Sequence, residues 1–142
     1  GMVVFYYLGM TLGRFFSGVL ATKLSCWQIV KIGEAVVAAA ILVLLLPLPT
    51  TFAAVGLFLV GLGNGPLYPN FSYLTPSNFG EENAEAVMGT EQVCAYIGCT
   101  GIPAIFGLLA QAFGLWLFPV FLLLFFVPLV IATINIMKLK NV

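Results

Sequence analysis

The chain has 142 residues, 62% hydrophobic and only 7% charged, against about 45–50% and about 25% in soluble domains. Five Lys/Arg and five Glu cannot cover the surface of a soluble domain this long, so the solvent that fits is a bilayer. A net charge of zero leaves no footprint for nucleic acid. The absence of His and Asp removes most metal sites and the commonest general bases, and no cofactor is expected.

A helix crosses the hydrocarbon core with about 20 apolar residues. Five stretches qualify, and together they predict an all-α polytopic helix bundle, a single transmembrane domain over residues 1–142. The first span covers residues 2–21 and carries Gly9, Gly13 and Ser17 at four-residue spacing, the small-residue pattern that lets helix backbones approach in lipid. Arg14 lies inside it. An arginine at a helix centre costs about 2.5–3.5 kcal/mol on insertion scales, so it reads as an inter-helix clamp or a functional group. The stretch has no basic leader and runs on to Lys23 and a second span, so no signal peptide is expected in it. Because the chain opens within a hydrophobic stretch, a truncation is expected.

Lys23-Leu24-Ser25 forms a short polar link to the second span, residues 27–46. Lys31 and Glu34, three apart, read as a local ion pair worth about 0.2–0.5 kcal/mol. Pro47 and Pro49 end that span, since proline has no N–H to donate and clashes with the preceding turn. The third span, residues 51–74, is dense in glycine and holds Pro66 and Pro69 with Asn64, Tyr68 and Asn70 around them. Prolines here free backbone carbonyls that protein or cavity water must satisfy. Two readings stay open: a kinked packing helix, or an interrupted helix of the kind that builds transporter binding sites. Gly61-Leu-Gly63-Asn-Gly65-Pro66 is not a nucleotide loop, because no Lys follows and no strand precedes.

Residues 75–83, TPSNFGEEN, are rich in turn formers and predict the longest loop, with Asn83 as N-cap of the fourth span, residues 84–112. Glu81, Glu82 and Glu85 suit the positive end of that helix. Glu91 falls about 12 Å into it. A carboxyl there must be protonated, paired or wet; pairing with Arg14 or lining a cavity is favoured over proton coupling. Gly98, Gly101 and Gly107 mark a second small-residue face. Cys26, Cys94 and Cys99 have no ligand spacing and read as small buried hydrophobes. Residues 111–114 form a tight turn into the fifth span, residues 115–137, which Lys138 and Lys140 follow. Lysines at the first link and the last end place both, with the acidic loop and the C-terminus, in the cytoplasm.

Several of these segments resemble one family. Gly9-Met-Thr-Leu-Gly13-Arg14-Phe-Phe-Ser17-Gly18-Val-Leu-Ala21 resembles the G-x-x-x-G-R-x-x-S-G-x-L-A pattern at the cytoplasmic end of the eighth helix in major facilitator superfamily transporters. Gly61 to Pro69 is similar to the tenth helix of the sugar:proton symporter branch that includes fucose permease. Phe79-Gly80-Glu-Glu-Asn83, with Glu91-Gln92-Val-Cys-Ala95-Tyr96-Ile-Gly98, looks like the loop and eleventh helix of that branch. Thr22 stands where many members have an acidic residue. The resemblance implies the last five of twelve helices, a fragment of the C-terminal half whose N-terminal partner half carries the proton-coupling carboxylates. It also implies a secondary transporter in the plasma (inner) membrane, in contact with lipid, a small solute such as a sugar and a coupling proton. Asn64, Tyr68, Gln92 and Tyr96 are the expected solute-binding groups, because amides and hydroxyls hydrogen-bond a polyol; Arg14 and Glu91 are the expected gating or coupling groups.

Two other classes compete. A small accessory membrane protein that binds a partner would show no transport, and a membrane enzyme fares worst for want of an acid–base pair. The orientation is directly checkable. An epitope at the C-terminus is expected to bind antibody only after cells are permeabilised; binding on intact cells would reverse the topology.

Overall fold

The computed structural model describes residues 1–140. Among them every regular element is helical: α1 (Val3–Leu20), α2 (Cys26–Leu45), α3 (Thr50–Asn64), α4 (Leu67–Phe79), α5 (Glu81–Phe113), a single 3-10 turn at Leu115–Leu117, and α6 (Phe118–Leu139). Among the described residues five stretches are long and apolar enough to cross a membrane, the third being α3 and α4 together, Thr50–Phe79. The all-helical bundle expected from hydropathy is therefore present. The chain forms two compact units, Gly1–Leu74 and Thr75–Val142.

In the first unit α3 is central, with α1 and α2 packed on it. The link between α1 and α2 falls where Lys23 to Ser25 predicts it. Ser25 caps α2 reciprocally with Gln28: the Gln28 N–H donates to Ser25 Oγ at 3.4 Å, and the Ser25 N–H donates to Gln28 Oε1 at 3.0 Å. Only Gly9, Gly13 and Ser17 are buried in α1, so the small-residue stripe is its packing face. The contact is reciprocal. A Cβ on Gly9 would strike the carbonyl oxygen of Phe58, and one on Gly13 that of Leu62. From the other side, a Cβ on Gly61 would strike the Tyr6 carbonyl oxygen, and one on Gly65 would lie 2.6 Å from that of Met10. The same device recurs between α3 and α2, where a Cβ on Gly63 would lie 2.6 Å from the Gly33 carbonyl oxygen and one on Gly33 would lie 2.7 Å from that of Gly63. Trp27, Ile29, Val30, Val37, Ala40 and Ile41 bury the rest of α2. Glu34 is also buried, whereas Lys31 is exposed.

The third span is broken where its prolines lie. Gly65 and Pro66 separate α3 from α4. Pro66 has no N–H for the Leu62 carbonyl, and Pro69 has none for that of Gly65.

Beyond this point the structure corrects three boundaries. The predicted loop 75–83 is almost entirely helical: α4 runs on to Phe79, α5 begins at Glu81, and only Gly80 lies between. Turn formers are tolerated near a helix end when one residue supplies the reversal. Gly80 does so at φ 84° and ψ 151°, a region open essentially to glycine alone. Asn83 is accordingly not the N-cap of α5. It sits inside the helix and donates from Nδ2 to the Phe79 carbonyl at 3.3 Å. The Lys140 ammonium donates to the Ser77 carbonyl and, at 3.3 Å, to its hydroxyl, giving the end of α4 a cationic cap. The predicted turn 111–114 also shrinks to one residue. Gln111 to Phe113 belong to α5, and Gly114 at φ 96° makes the reversal.

At 33 residues α5 is about 50 Å long, well beyond the hydrocarbon core, so Glu81, Glu82 and Glu85 at its start can remain in water. Phe106 of α5 meets Phe118 and Phe121 of α6 at ring centroid distances of 5.5 and 5.1 Å. Within its own unit the predicted small-residue face of α5 does not pack: a Cβ on Gly101 or Gly107 meets nothing there, and one on Gly98 touches only Ile102 of its own helix. Nor are the cysteines buried hydrophobes. Cys94 and Cys99 are exposed and Cys26 is half-buried.

Gly13→Val and Gly61→Val are expected to destabilise the folded chain by about 1–3 kcal/mol, the usual cost of overpacking. Gly18→Ala, where a Cβ meets nothing, should be neutral. Equilibrium unfolding in detergent micelles checks both.

Candidate functional site

Polar side chains inside apolar helices are costly unless they are hydrogen-bonded. In the first unit they occur as pairs across helix seams. At the break in the third span the Asn64 Nδ2 group donates to the Tyr6 hydroxyl of α1 at 3.0 Å. The bond orients the amide, leaving the Asn64 carbonyl oxygen as a free-standing acceptor beside the break. Asn64 and Tyr68, one turn further on, are both exposed. Arg14 is exposed too; its backbone nitrogen lies 3.1 Å from where a Gly65 Cβ would be, so α1 carries it past the Gly65-Pro66 step.

The second pair is deeper. Asn70 and Ser17 are both buried, and Asn70 Nδ2 donates to Ser17 Oγ at 3.0 Å and to the Pro66 carbonyl oxygen at 2.6 Å. Asn70 thus ties α4 to α1 and also to its own preceding turn.

The second unit holds Glu91, Gln92 and Tyr96 on α5. Thr75, at the end of α4 and almost fully buried, donates its hydroxyl to Glu91 Oε1 at 2.7 Å. Glu91 is half-buried, while Gln92 and Tyr96, sharing a helical face, are exposed. Glu91 borders a cavity of about 550 Å3. The pocket is open, lined by Phe79 of α4 and by Asn83, Ala86, Val87, Thr90, Glu91 and Cys94 of α5. A second, apolar groove of about 210 Å3 lies between α1 and α2, floored by Gly63 and Pro66 of the α3–α4 step. No group of three or more Cys or Glu side chains converges on a metal position among the described residues.

The family model of the Major Facilitator Superfamily matches residues 1–140. The chain belongs to that superfamily. No curated protein and no solved structure matches it. As a major facilitator protein it is a membrane-embedded transporter component that works in lipid and serves a transported solute, and its five apolar spans accord with the helix bundle of that family.

Among the residues singled out from sequence, Asn64 donates to Tyr6 and the half-buried Glu91 accepts from Thr75, while Asn64, Tyr68, Gln92, Tyr96 and Arg14 are all exposed. Sequence reasoning missed Tyr6, Ser17 as a hydrogen-bond partner, and Thr75. Each lies far along the chain from the group it serves, and none breaks the hydropathy pattern. Asn70 stood out in sequence only as a polar residue beside the prolines; its bonds to Ser17 and to the Pro66 carbonyl oxygen did not.

Ser17→Ala and Asn70→Ala, singly and together, form a double-mutant cycle for the buried pair. A coupling of about 0.6 kcal/mol, and not above about 1.7, is expected from intramembrane hydrogen bonds. Unfolding free energies measured in bicelles give it directly, and additive effects would show that the bond contributes nothing.

Proposed function

We propose that this chain supplies helices eight to twelve of a twelve-helix secondary transporter of the fucose permease-like branch. Its five spans act as one transmembrane domain beside an N-terminal half, and the whole moves a small polar solute, a sugar, by alternating access. A proton is the coupling ion, the location is the plasma (inner) membrane, and the C-terminus is cytoplasmic.

The observation that carries this reading is the break at Gly65-Pro66, with Asn64 and Tyr68 on either side of it. Discontinuous helices with polar groups at the break are where secondary transporters bind their solutes. Asn64 offers a carbonyl oxygen already oriented by its bond to Tyr6, and Tyr68 offers an exposed phenol. Gln92 and Tyr96 present a second amide and phenol along one face of α5. Such groups suit a polyol, which both donates and accepts hydrogen bonds. Arg14, carried past the break by α1, serves as gate, and Glu91, held by Thr75, as coupling group. The motif resemblance and the superfamily match support the same assignment.

The test is uptake of a radiolabelled sugar and polyol panel by the full-length protein in proteoliposomes, with and without a proton gradient. Gradient-stimulated uptake of at least one sugar is expected. Asn64→Ala and Tyr68→Phe should each raise KM by about tenfold or less, the worth of one hydrogen bond. No uptake across the panel would remove the sugar assignment, and unchanged KM in both variants would remove the residue roles.

A further inference from the structure

The groove between α1 and α2 is apolar along its length and positive at one end. Phe16 and Leu20 of α1 form one wall, and Ile29, Ile32 and Val36 of α2 form the other. Phe16 and Ile32 are exposed and Ile29 is buried, so the groove opens away from α3. It runs about 10 Å along α2 from Ile29 to Val36, and Leu20 and Ile29 mark its end at the α1–α2 link. The turn of α1 continues past Leu20, since the Lys23 and Leu24 N–H groups donate to the Leu20 carbonyl oxygen at 2.9 and 2.8 Å. Lys23 therefore follows Phe16 and Leu20 at helical spacing and falls on the stripe that walls the groove. Its side chain is exposed. Residues 1–33 carry Arg14, Lys23 and Lys31 and no acidic residue. The start of α2, where the helix dipole is positive, lies at the same end.

In a bilayer the apolar walls select nothing by themselves, because every lipid brings a tail as apolar as leucine. The charge at the link is what discriminates. A tail lying along Leu20 and Ile29 toward Val36 leaves its headgroup at the end of the span, where Lys23 stands. One lysine near the membrane surface favours a net negative headgroup by about fivefold. A zwitterionic headgroup brings its own cation to the same place and gains less. A soluble anion matches the charge and not the groove. Another transmembrane helix would use the apolar walls and leave Lys23 without a role.

We propose that this groove is a binding site for one anionic phospholipid, with an acyl chain between the α1 and α2 walls and the phosphate at Lys23. The inference goes beyond the sugar reading and does not depend on which solute the Asn64 and Tyr68 positions serve.

The probe is dioleoylphosphatidylglycerol, titrated into the full-length protein in detergent micelles, with bound lipid counted by native mass spectrometry. Dioleoylphosphatidylcholine and free glycerol phosphate are the comparison ligands. Saturable binding is expected, tighter for phosphatidylglycerol than for phosphatidylcholine and not displaced by glycerol phosphate. Lys23→Gln should weaken phosphatidylglycerol binding by about fivefold, and Lys23→Arg should keep it. Lys31→Gln, which helical spacing puts off the groove-lining stripe of α2, should leave it unchanged. Val36→Phe, at a half-buried position in the wall, should remove the saturable binding of both lipids by filling the groove. Equal affinity for the two lipids, equal loss in Lys23→Gln and Lys31→Gln, or displacement by glycerol phosphate would each overturn the proposal. So would unaltered binding in both Lys23→Gln and Val36→Phe, the result expected if another helix of the full-length protein occupies the groove. Failure of sugar uptake leaves this measurement unaffected, so the two readings fail separately.

Discussion

Backbone against backbone is the contact on which the first unit depends. In lipid no hydrophobic force draws one apolar helix to another, because the acyl chains are as apolar as leucine. Association must come from close packing, and Gly9, Gly13, Gly61 and Gly65 allow it by putting no Cβ between helix surface and facing carbonyl. The α1–α3 seam and the proline break coincide. Pro66 takes the hydrogen-bond partner from the Leu62 carbonyl, and Gly13 lies directly against that carbonyl. The helix is thus interrupted where its neighbour is closest, and α1 braces the point at which the span loses its own bonds.

The polar pairs follow from that geometry. With α1 held tight against the third span, Tyr6 reaches Asn64 on one side of the break and Ser17 reaches Asn70 beyond it. Two hydrogen bonds therefore bracket the step between α3 and α4. The buried one fixes the register of α4 on α1. The exposed one orients an amide whose oxygen stays available. In the second unit Thr75 supplies the hydrogen bond to Glu91, and Asn83 and Thr90 of α5 donate to their own helix backbone.

The five spans, the first link and the prolines ending the second span were legible because each is a local property of composition or of a single residue type. The small-residue stripe of α1 was legible for the same reason, yet an equally suggestive set on α5 packs against nothing within its own unit. Spacing shows that a helix can be approached closely, and only the neighbouring chain decides whether it is. The turn-rich segment 75–83 misled for a related reason. Its residues favour turns individually, but one glycine at positive φ completes the reversal and the rest are recruited into α4 and α5. Of the candidate site, Asn64, Asn70 and Glu91 stood out as polar groups in apolar runs, whereas Tyr6 and Thr75, which position two of them, looked like ordinary span residues.

By itself the sequence determined the solvent, the number of spans, the place of the break and the family, since hydropathy, proline chemistry and motif spacing are readable along one dimension. The tertiary structure decided which glycines form a seam and which polar groups pair. Those outcomes depend on contacts between residues as far apart as Tyr6 and Asn64, or Ser17 and Asn70, and such contacts exist only once the helices have packed.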